Sequence, residues 1–213
     1  PIIVKYNNLV RAFLIAGKGR KVIDCDYESL EPHCFASVSG DKKLQDIFNN
    51  NHDFYSTVAI ETEKLEGVSA DKAADNFLKK VDPVKRNRAK GYALGIAYGM
   101  EAFALSKGLG VTQKEAEKLV DGYLNGFPDL KKWREWSRKF VKENGYITNK
   151  VGRKRHLPRV KKIYEKFGDL ILDWKFRKEL ENQYDKEQVI KVYRDYRNGL
   201  NNCLNFQLQS LAA

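Results

Sequence analysis

The sequence predicts an α+β fold, mostly helical with a few short strands. Three observations carry that prediction. Apolar residues recur at helical spacing over most of the chain from Leu30 onward. Thr112-Gln113-Lys114-Glu115 has the hydroxyl-then-carboxylate spacing of a capping box. Only two stretches, residues 21–26 and 145–158, carry β-branched or turn-flanked strand patterns.

Taken in order, Lys21-Val22-Ile23-Asp24-Cys25-Asp26 reads as a short strand after a Gly17-Lys18-Gly19 turn signal. A short helix is expected over 30–38, ended by Gly40, with helical patterns following at 42–48 and 53–63. Asp82-Pro83 opens the next helix, with proline suited to its first turn, and it should run to about Tyr98. The capping box opens a helix to about Leu124. Pro128 starts another, to about Asn144, whose expected core face is Leu130, Trp133, Trp136 and Phe140. Residues 145–158 form a hairpin with its turn near 149–152. Residues 163–197 read as helical and strongly charged, with no chemistry attached, and 199–213 as a final helix. The pattern stops inside that helix, so a fragment or split gene product is expected. There is no internal repeat and no low-complexity linker.

With 213 residues and 42% hydrophobic content, the chain can build one large domain or two small ones with a true core. Lysine and arginine exceed aspartate and glutamate by 39 to 28, for a net charge of +11. That balance favours a polyanionic partner, with a merely solvated lysine-rich surface as the alternative. Three scattered cysteines, Cys25, Cys34 and Cys203, show no Cys-x-x-Cys spacing. They argue against a disulfide framework and a structural zinc site, and for a reducing compartment. No run approaches the roughly 18 apolar residues that span a membrane, and Pro1 to Val10 lack the pattern of a signal peptide.

Chemistry concentrates in three places. Arg86, Lys90 and Tyr98 recur at multiples of four, which on a helix makes one stripe. Two cations and a ring on one stripe suit a triphosphate and a base. Asp24 and Asp26, two apart on the expected strand, face the same side and suit a hard cation such as Mg²⁺, or simply end a strand at the surface. Glu28 and Glu31 follow closely, making the local field acidic in a basic protein. Two tracts are strongly basic: Lys79 to Lys90, and the hairpin with its exit, Lys150 to Lys162. The second contains Gly152, which permits close backbone approach, so contact with a nucleic-acid backbone is favoured over mere solvation.

These residues resemble a known family. Asp26-Tyr27-Glu28-Ser29-Leu30-Glu31 resembles motif A of the family A DNA polymerases, of the bacterial DNA polymerase I type, where Asp-Tyr-Ser-Gln-Ile-Glu-Leu-Arg is usual. Arg86 to Gly99 resembles their motif B, Arg-x3-Lys-x3-(Phe/Tyr)-Gly-x2-Tyr-Gly. Gly152-Arg153-Lys154-Arg155-His156-Leu157-Pro158 resembles their Gly-Arg-Arg-Arg-x-Leu-Pro hairpin, and Asn205 to Ala213 resembles Asn-x-Pro-x-Gln-Gly-x-Ala-Ala. The four patterns come in order and cover nearly the whole chain.

The resemblance implies template-directed DNA synthesis on primer-template DNA from deoxynucleoside triphosphates, with two Mg²⁺ ions in the complete enzyme. It implies a mostly helical fingers subdomain with part of a palm β-sheet. Residues 1–45 would be palm with motif A, 46–145 fingers with motif B, and 146–213 the return to the palm with the basic hairpin and final helix. Asp26 resembles the catalytic aspartate that binds both metals, with the Tyr27 carbonyl a further ligand. Glu31 resembles the residue under the sugar that excludes a 2′-hydroxyl. Arg86 and Lys90 resemble triphosphate ligands, with Lys90 also a proton donor, and Tyr98 the ring beside the nascent base pair. Gly152, Arg153 and Arg155 resemble backbone contacts, and Asn205 and Gln209 contacts near the templating base and primer. Asp24 falls where the family has a small residue, so it is not expected to pair with Asp26.

Five departures mark the chain as divergent, in the manner of a phage-encoded or organelle enzyme. Leu94, on the nucleotide-binding stripe, stands for Phe or Tyr, and Tyr55 for His. His33 stands for Arg, Ser29 for Gln, and Asn201 for an Arg that often precedes the final motif. The usual second aspartate lies in a His-Asp-Glu motif that this sequence does not contain. Activity is therefore expected only with that motif supplied by a remainder of the chain or a partner chain. The alternatives are a non-catalytic DNA-binding piece and a single-subunit RNA polymerase, against which Glu31 speaks. The resemblance also implies a cytoplasmic location in a bacterium or phage-infected host, or an organelle, and no membrane.

Overall fold

Aspartates start many of the helices. In the computed structural model, which describes residues 13–212, α1 spans Leu30–Ser39, α2 Lys42–Asn49 and α3 Phe54–Glu63. The side chains of Asp41 and Asp53 cap α2 and α3, accepting from the backbone N–H of Leu44 and Ser56. A short α4, Leu78–Val81, leads into α5, Pro83–Ala97, which Asp82 caps with Pro83 in the first turn. Next come α6, Ala102–Leu109, and α7, Gln113–Gly126, where the Thr112–Glu115 capping box is complete in both directions. The long α8, Pro128–Asn144, has no cap of its own. Its first N–H groups, of Asp129 and Leu130, donate to the second oxygen of Asp41 at 3.0 and 3.2 Å. One buried carboxylate thus closes two helix starts and ties α8 to α2.

The sheet is a single antiparallel hairpin, β1 Tyr146–Thr148 and β2 Lys154–His156, with Tyr146 opposite His156 and Thr148 opposite Lys154. Asn149 builds its turn: the side-chain oxygen accepts from the N–H groups of Val151 and Arg153, and Gly152 takes φ +82°. Beyond it lie α9, Pro158–Phe167, a 3₁₀ turn at Gly168–Leu172, α10, Trp174–Leu180, and α11, Lys186–Ala212. The fold is therefore α+β, mostly helical with a small two-stranded sheet.

One buried cluster runs from Phe35 to Leu208. Helix α3 packs on α5 and α7, and α11 packs on α1, α8 and α9. The α9–α11 crossing depends on Gly199, where an added Cβ would lie 2.2 Å from Val160 Cγ2. Gln207 stands where the family pattern has proline, so α11 keeps that N–H and runs through unbroken. Among the described residues no helix is long and apolar enough to cross a membrane.

Two expectations need correction, one helix starts earlier than expected and one is new. The strand over 21–26 does not form: that segment is exposed and without strand pairing among the described residues. β-Branched residues favour a strand only where a neighbour takes up the backbone hydrogen bonds, and none of the described residues does so. Residues 163–197 are helical, as expected, in successive pieces: α9, the 3₁₀ turn, α10 and the first turns of α11, which starts at Lys186 and takes in the final helix expected from 199. Helix α6 was not expected at all. Finally, Trp136 is 53% exposed rather than core. The buried face of α8 is Leu130, Trp133, Arg134, Ser137 and Val141, and Trp136 lies one position off it.

Candidate nucleotide and DNA interface

Helix α5 has two working faces. Ala89, Tyr92, Ala93, Ile96 and Ala97 are buried, and the Tyr92 hydroxyl lies 2.9 Å from Thr62 Oγ1 on α3. Arg86, Lys90, Leu94 and Tyr98 follow one another at intervals of four along the other side, with Lys90 exposed and the other three half-buried. The stripe expected from spacing is present.

Its two ends are already engaged. Arg86 donates from Nε and Nη2 to the two oxygens of Asp53, both at 2.8 Å. This bidentate pair is deeply set, with side-chain exposures of 14% and 5%. Burial works to raise the Asp53 pKa, but the bonds from Arg86 and Ser56 outweigh it and hold the carboxyl below its ordinary value. At the other end, the Tyr98 hydroxyl donates to Glu31 Oε1 at 2.6 Å. Burial and that carboxylate push the Tyr98 phenol up. Between the ends lies the ring of Tyr55, with Arg86 and Lys90 at 5.4 and 5.8 Å from its centroid. Burial and Glu31 raise the Tyr55 phenol as well. The stripe is thus a surface of cations and rings, closed on one side by Asp53 and on the other by Glu31.

Asp26 and Tyr27 lie just before this surface in exposed chain, Tyr27 at 78% exposure. Ser29, at φ +55°, turns that extended segment into α1 and so delivers Glu31 to Tyr98. Glu28 is held by Lys72 at 3.1 Å. Among the described residues no three His, Cys, Asp or Glu side chains lie together as a metal site. The structure brings Glu31, Arg86, Lys90 and Tyr98 together around Tyr55, with Leu94 on the same side of α5, and holds Asp26 exposed in the chain that leads to α1.

The DNA-facing expectations fall on the hairpin and α11. Arg153 and Arg155 are exposed, and space is open around Gly152. The hairpin is tied to α11 by Asn149 Nδ2 donating to Ser210 Oγ at 2.8 Å. On α11, Gln209 is exposed, and the side-chain oxygen of half-buried Asn205 has no hydrogen-bond partner among the described residues. Asn201, which replaces an arginine of the pattern, accepts from Arg138 Nη2 of α8 at 3.0 Å. A guanidinium thus stands beside Asn201 after all, delivered from another helix. Gly99, at φ +98°, fits against this pair: a Cβ there would lie 2.5 Å from Asn201 Oδ1.

Sequence reasoning missed Asp53 and Arg138. Asp53 was legible as a helix cap but not as the partner of Arg86, 33 residues away. Arg138 gave no signal, because its role depends on how α8 and α11 cross.

A family model for DNA polymerase family A matches residues 1–170. The chain belongs to DNA polymerase family A. Among its relatives, DNA polymerase I of Bacillus subtilis is 31% identical over 159 residues, 74% of this chain and 17% of that protein. DNA polymerase I of Caldicellulosiruptor bescii is 29% identical over 160 residues, 74% of this chain and 18% of that one. The chain therefore spans less than a fifth of the length of these family A relatives. A solved structure, the POL domain of Pol1 from M. smegmatis in complex with DNA primer-template and dNTP, matches the fold with a TM-score of 0.61. That match is 23% identical and covers 86% of this chain and 26% of that one. The family match stops before α11, so the likeness of Asn205 and Gln209 to the final family pattern rests on that pattern alone.

Proposed function

We propose that this chain is the nucleotide-selecting part of a family A DNA polymerase, and that the whole protein extends a primer on a DNA template. The reading rests on one observation above all. Motif B forms a continuous face on α5, and its last ring, Tyr98, is bonded to Glu31, five residues after Asp26. In this reading the primer 3′-hydroxyl attacks the α-phosphate of a deoxynucleoside triphosphate and pyrophosphate leaves. Lys90 neutralises the departing pyrophosphate and donates a proton to it, joined by Arg86 once released from Asp53. Tyr98 and Leu94 abut the base and sugar, and Glu31 blocks a 2′-hydroxyl. Gly152, Arg153, Arg155, Asn205 and Gln209 line the DNA, and stretches 1–45, 46–145 and 146–213 divide the work as palm, fingers and return to the palm.

Mg²⁺, the hard cation suited to such phosphates, needs several oxygen ligands. The Asp26 carboxylate and Tyr27 carbonyl would supply part of that set, and the described residues do not complete it. The test is primer extension by the full-length protein. Asp26→Ala should abolish extension while DNA binding survives, and unchanged extension refutes the assignment. Ribonucleotides should be incorporated far less well than deoxynucleotides, and equal use would favour the RNA polymerase reading.

A further inference from the structure

Arg134 of α8 is a buried cation with too few partners. Its side chain belongs to a residue only 7% exposed, and among the described residues its Nε and Nη1 have no hydrogen-bond acceptor. Arg138, one turn further along α8, also has an unpartnered buried Nε. A fourth unsatisfied donor is the hydroxyl of Tyr123 on α7, a residue 1% exposed and close enough to feel the Arg134 charge. Leaving guanidinium groups buried and unpaired is costly, so a structure that holds several together calls for an acceptor. Burial, with the like charge of Arg138, pulls the Arg134 pKa down to about 10, the direction an approaching anion would reverse.

The space for that acceptor is there. A cavity of about 120 Å³ between α7 and α8 is lined by Leu124, Lys131, Arg134, Glu135 and Arg138. One water needs only about 10–15 Å³. Three of the five lining residues are cations, and the one acid, Glu135, leaves Arg134 Nε and Nη1 unsatisfied. Guanidinium forks match tetrahedral oxyanions two oxygens at a time. Arg138 also reaches Asn201, which abuts Gly99 at the end of motif B.

We propose that this pocket binds a phosphate-class oxyanion, held by Arg134 and Arg138 with exposed Lys131 at its edge. The pocket stands on its own geometry; only the preference for a DNA phosphodiester over free phosphate rests on the polymerase reading. The net charge of +11 and the link to motif B favour the phosphodiester.

The full-length protein is titrated with inorganic phosphate and, separately, with a 5′-overhang primer-template at several salt concentrations. Phosphate should raise the melting temperature of the wild type and not of R134M. In phosphate-free buffer R134M should melt higher than wild type, because an uncompensated charge has been removed. With DNA, R134M should bind about tenfold more weakly. Its slope of log affinity against log salt should be shallower by about 0.7 to 0.9. Loss of both responses assigns the site to the DNA backbone. Loss of the phosphate response alone assigns it to free phosphate. If R134M behaves as wild type in both, the proposal is overturned. Should R134M not fold, exposed Lys131→Gln gives the same two readouts, and wild-type values for both overturn the proposal equally. Failure of the polymerase reading would look different: no primer extension by the wild type, with the phosphate response intact.

Discussion

Asp53→Asn should weaken the fold and tighten nucleotide binding at the same time. Asp53 does two jobs in the free protein. It caps α3 through Ser56 and it holds Arg86 by two 2.8 Å bonds in a pair almost closed to solvent. Asparagine caps a helix about as well as aspartate, so the first job survives. The second does not: the charge is lost and one oxygen becomes a donor facing Arg86. Removing one partner of a buried pair costs about 3–5 kcal/mol, and a retained neutral bond from Arg86 to the amide oxygen offsets part of it. The expected loss of unfolding free energy is about 2–3 kcal/mol. In the proposed function the triphosphate competes with Asp53 for Arg86, so the same substitution releases a cation to the nucleotide. If half of that free energy reappears in binding, deoxynucleotide affinity rises about tenfold.

The assay is a pair of measurements on one protein: denaturant unfolding, and nucleotide titration in the presence of primer-template. Affinity falling in step with stability would refute the competition and leave Arg86 as a structural residue. The pH dependence supplies a check of sign. The folded-state pKa of Asp53 is lowered, so the pair stabilises the fold above the unfolded value of about 3.9. That stability is lost as pH falls through the folded value. Asp53→Asn should therefore flatten the acid limb of the stability profile below about pH 4 and leave its neutral region parallel to wild type.

Tyr98→Phe removes the 2.6 Å bond to Glu31. It should cost about 1 kcal/mol in denaturant unfolding and raise ribonucleotide incorporation in primer extension, since Glu31 is then free to swing from the sugar. Gly199→Ala drives a Cβ into Val160 and should destabilise by about 1–3 kcal/mol. Val160→Ala in the same chain should recover most of the loss in thermal melts. Arg153→Gln, at an exposed hairpin position, should leave melting unchanged. It should make the salt dependence of DNA binding shallower by about 0.9, as expected for one lost phosphate contact.

The legible parts of this molecule were those set by neighbours in sequence. Asp82-Pro83 and the Thr112 capping box predicted helix starts because a cap bonds to an N–H only a few residues on. The Arg86–Tyr98 stripe was legible for the same reason: four-residue spacing maps directly onto one side of a helix. The strand at 21–26 misled because β-branched residues report suitability for a sheet and say nothing of a partner. Helix α6 was hidden because Ala102–Leu109 has neither a side-chain cap nor a clear apolar face. Trp136 misled because Leu130, Trp133, Trp136 and Phe140 also fit helical spacing, while the face that packs is turned one position on, to Arg134, Ser137 and Val141.

What sequence could not reach is the set of polar bonds between distant elements, and these position the candidate site. Asp53 answers Arg86 and Glu31 answers Tyr98 across 33 and 67 residues. On the other side, three of the bonds that set α11 against its neighbours lie along its second half: Arg138 to Asn201, Gln207 to Ser137, and Asn149 to Ser210. Gln207 and Ser137 are buried, so a slip of α11 by one residue would leave unsatisfied donors inside the core at about 1–3 kcal/mol each. Apolar packing alone tolerates such slips more readily than paired polar groups do. The departures at Asn201 and Gln207 are thus linked to one another. Asn201 accepts from Arg138 of α8 where the family pattern has its own arginine, Gln207 bonds Ser137 of α8 where that pattern has proline, and both act at the α8–α11 crossing, the first beside Gly99.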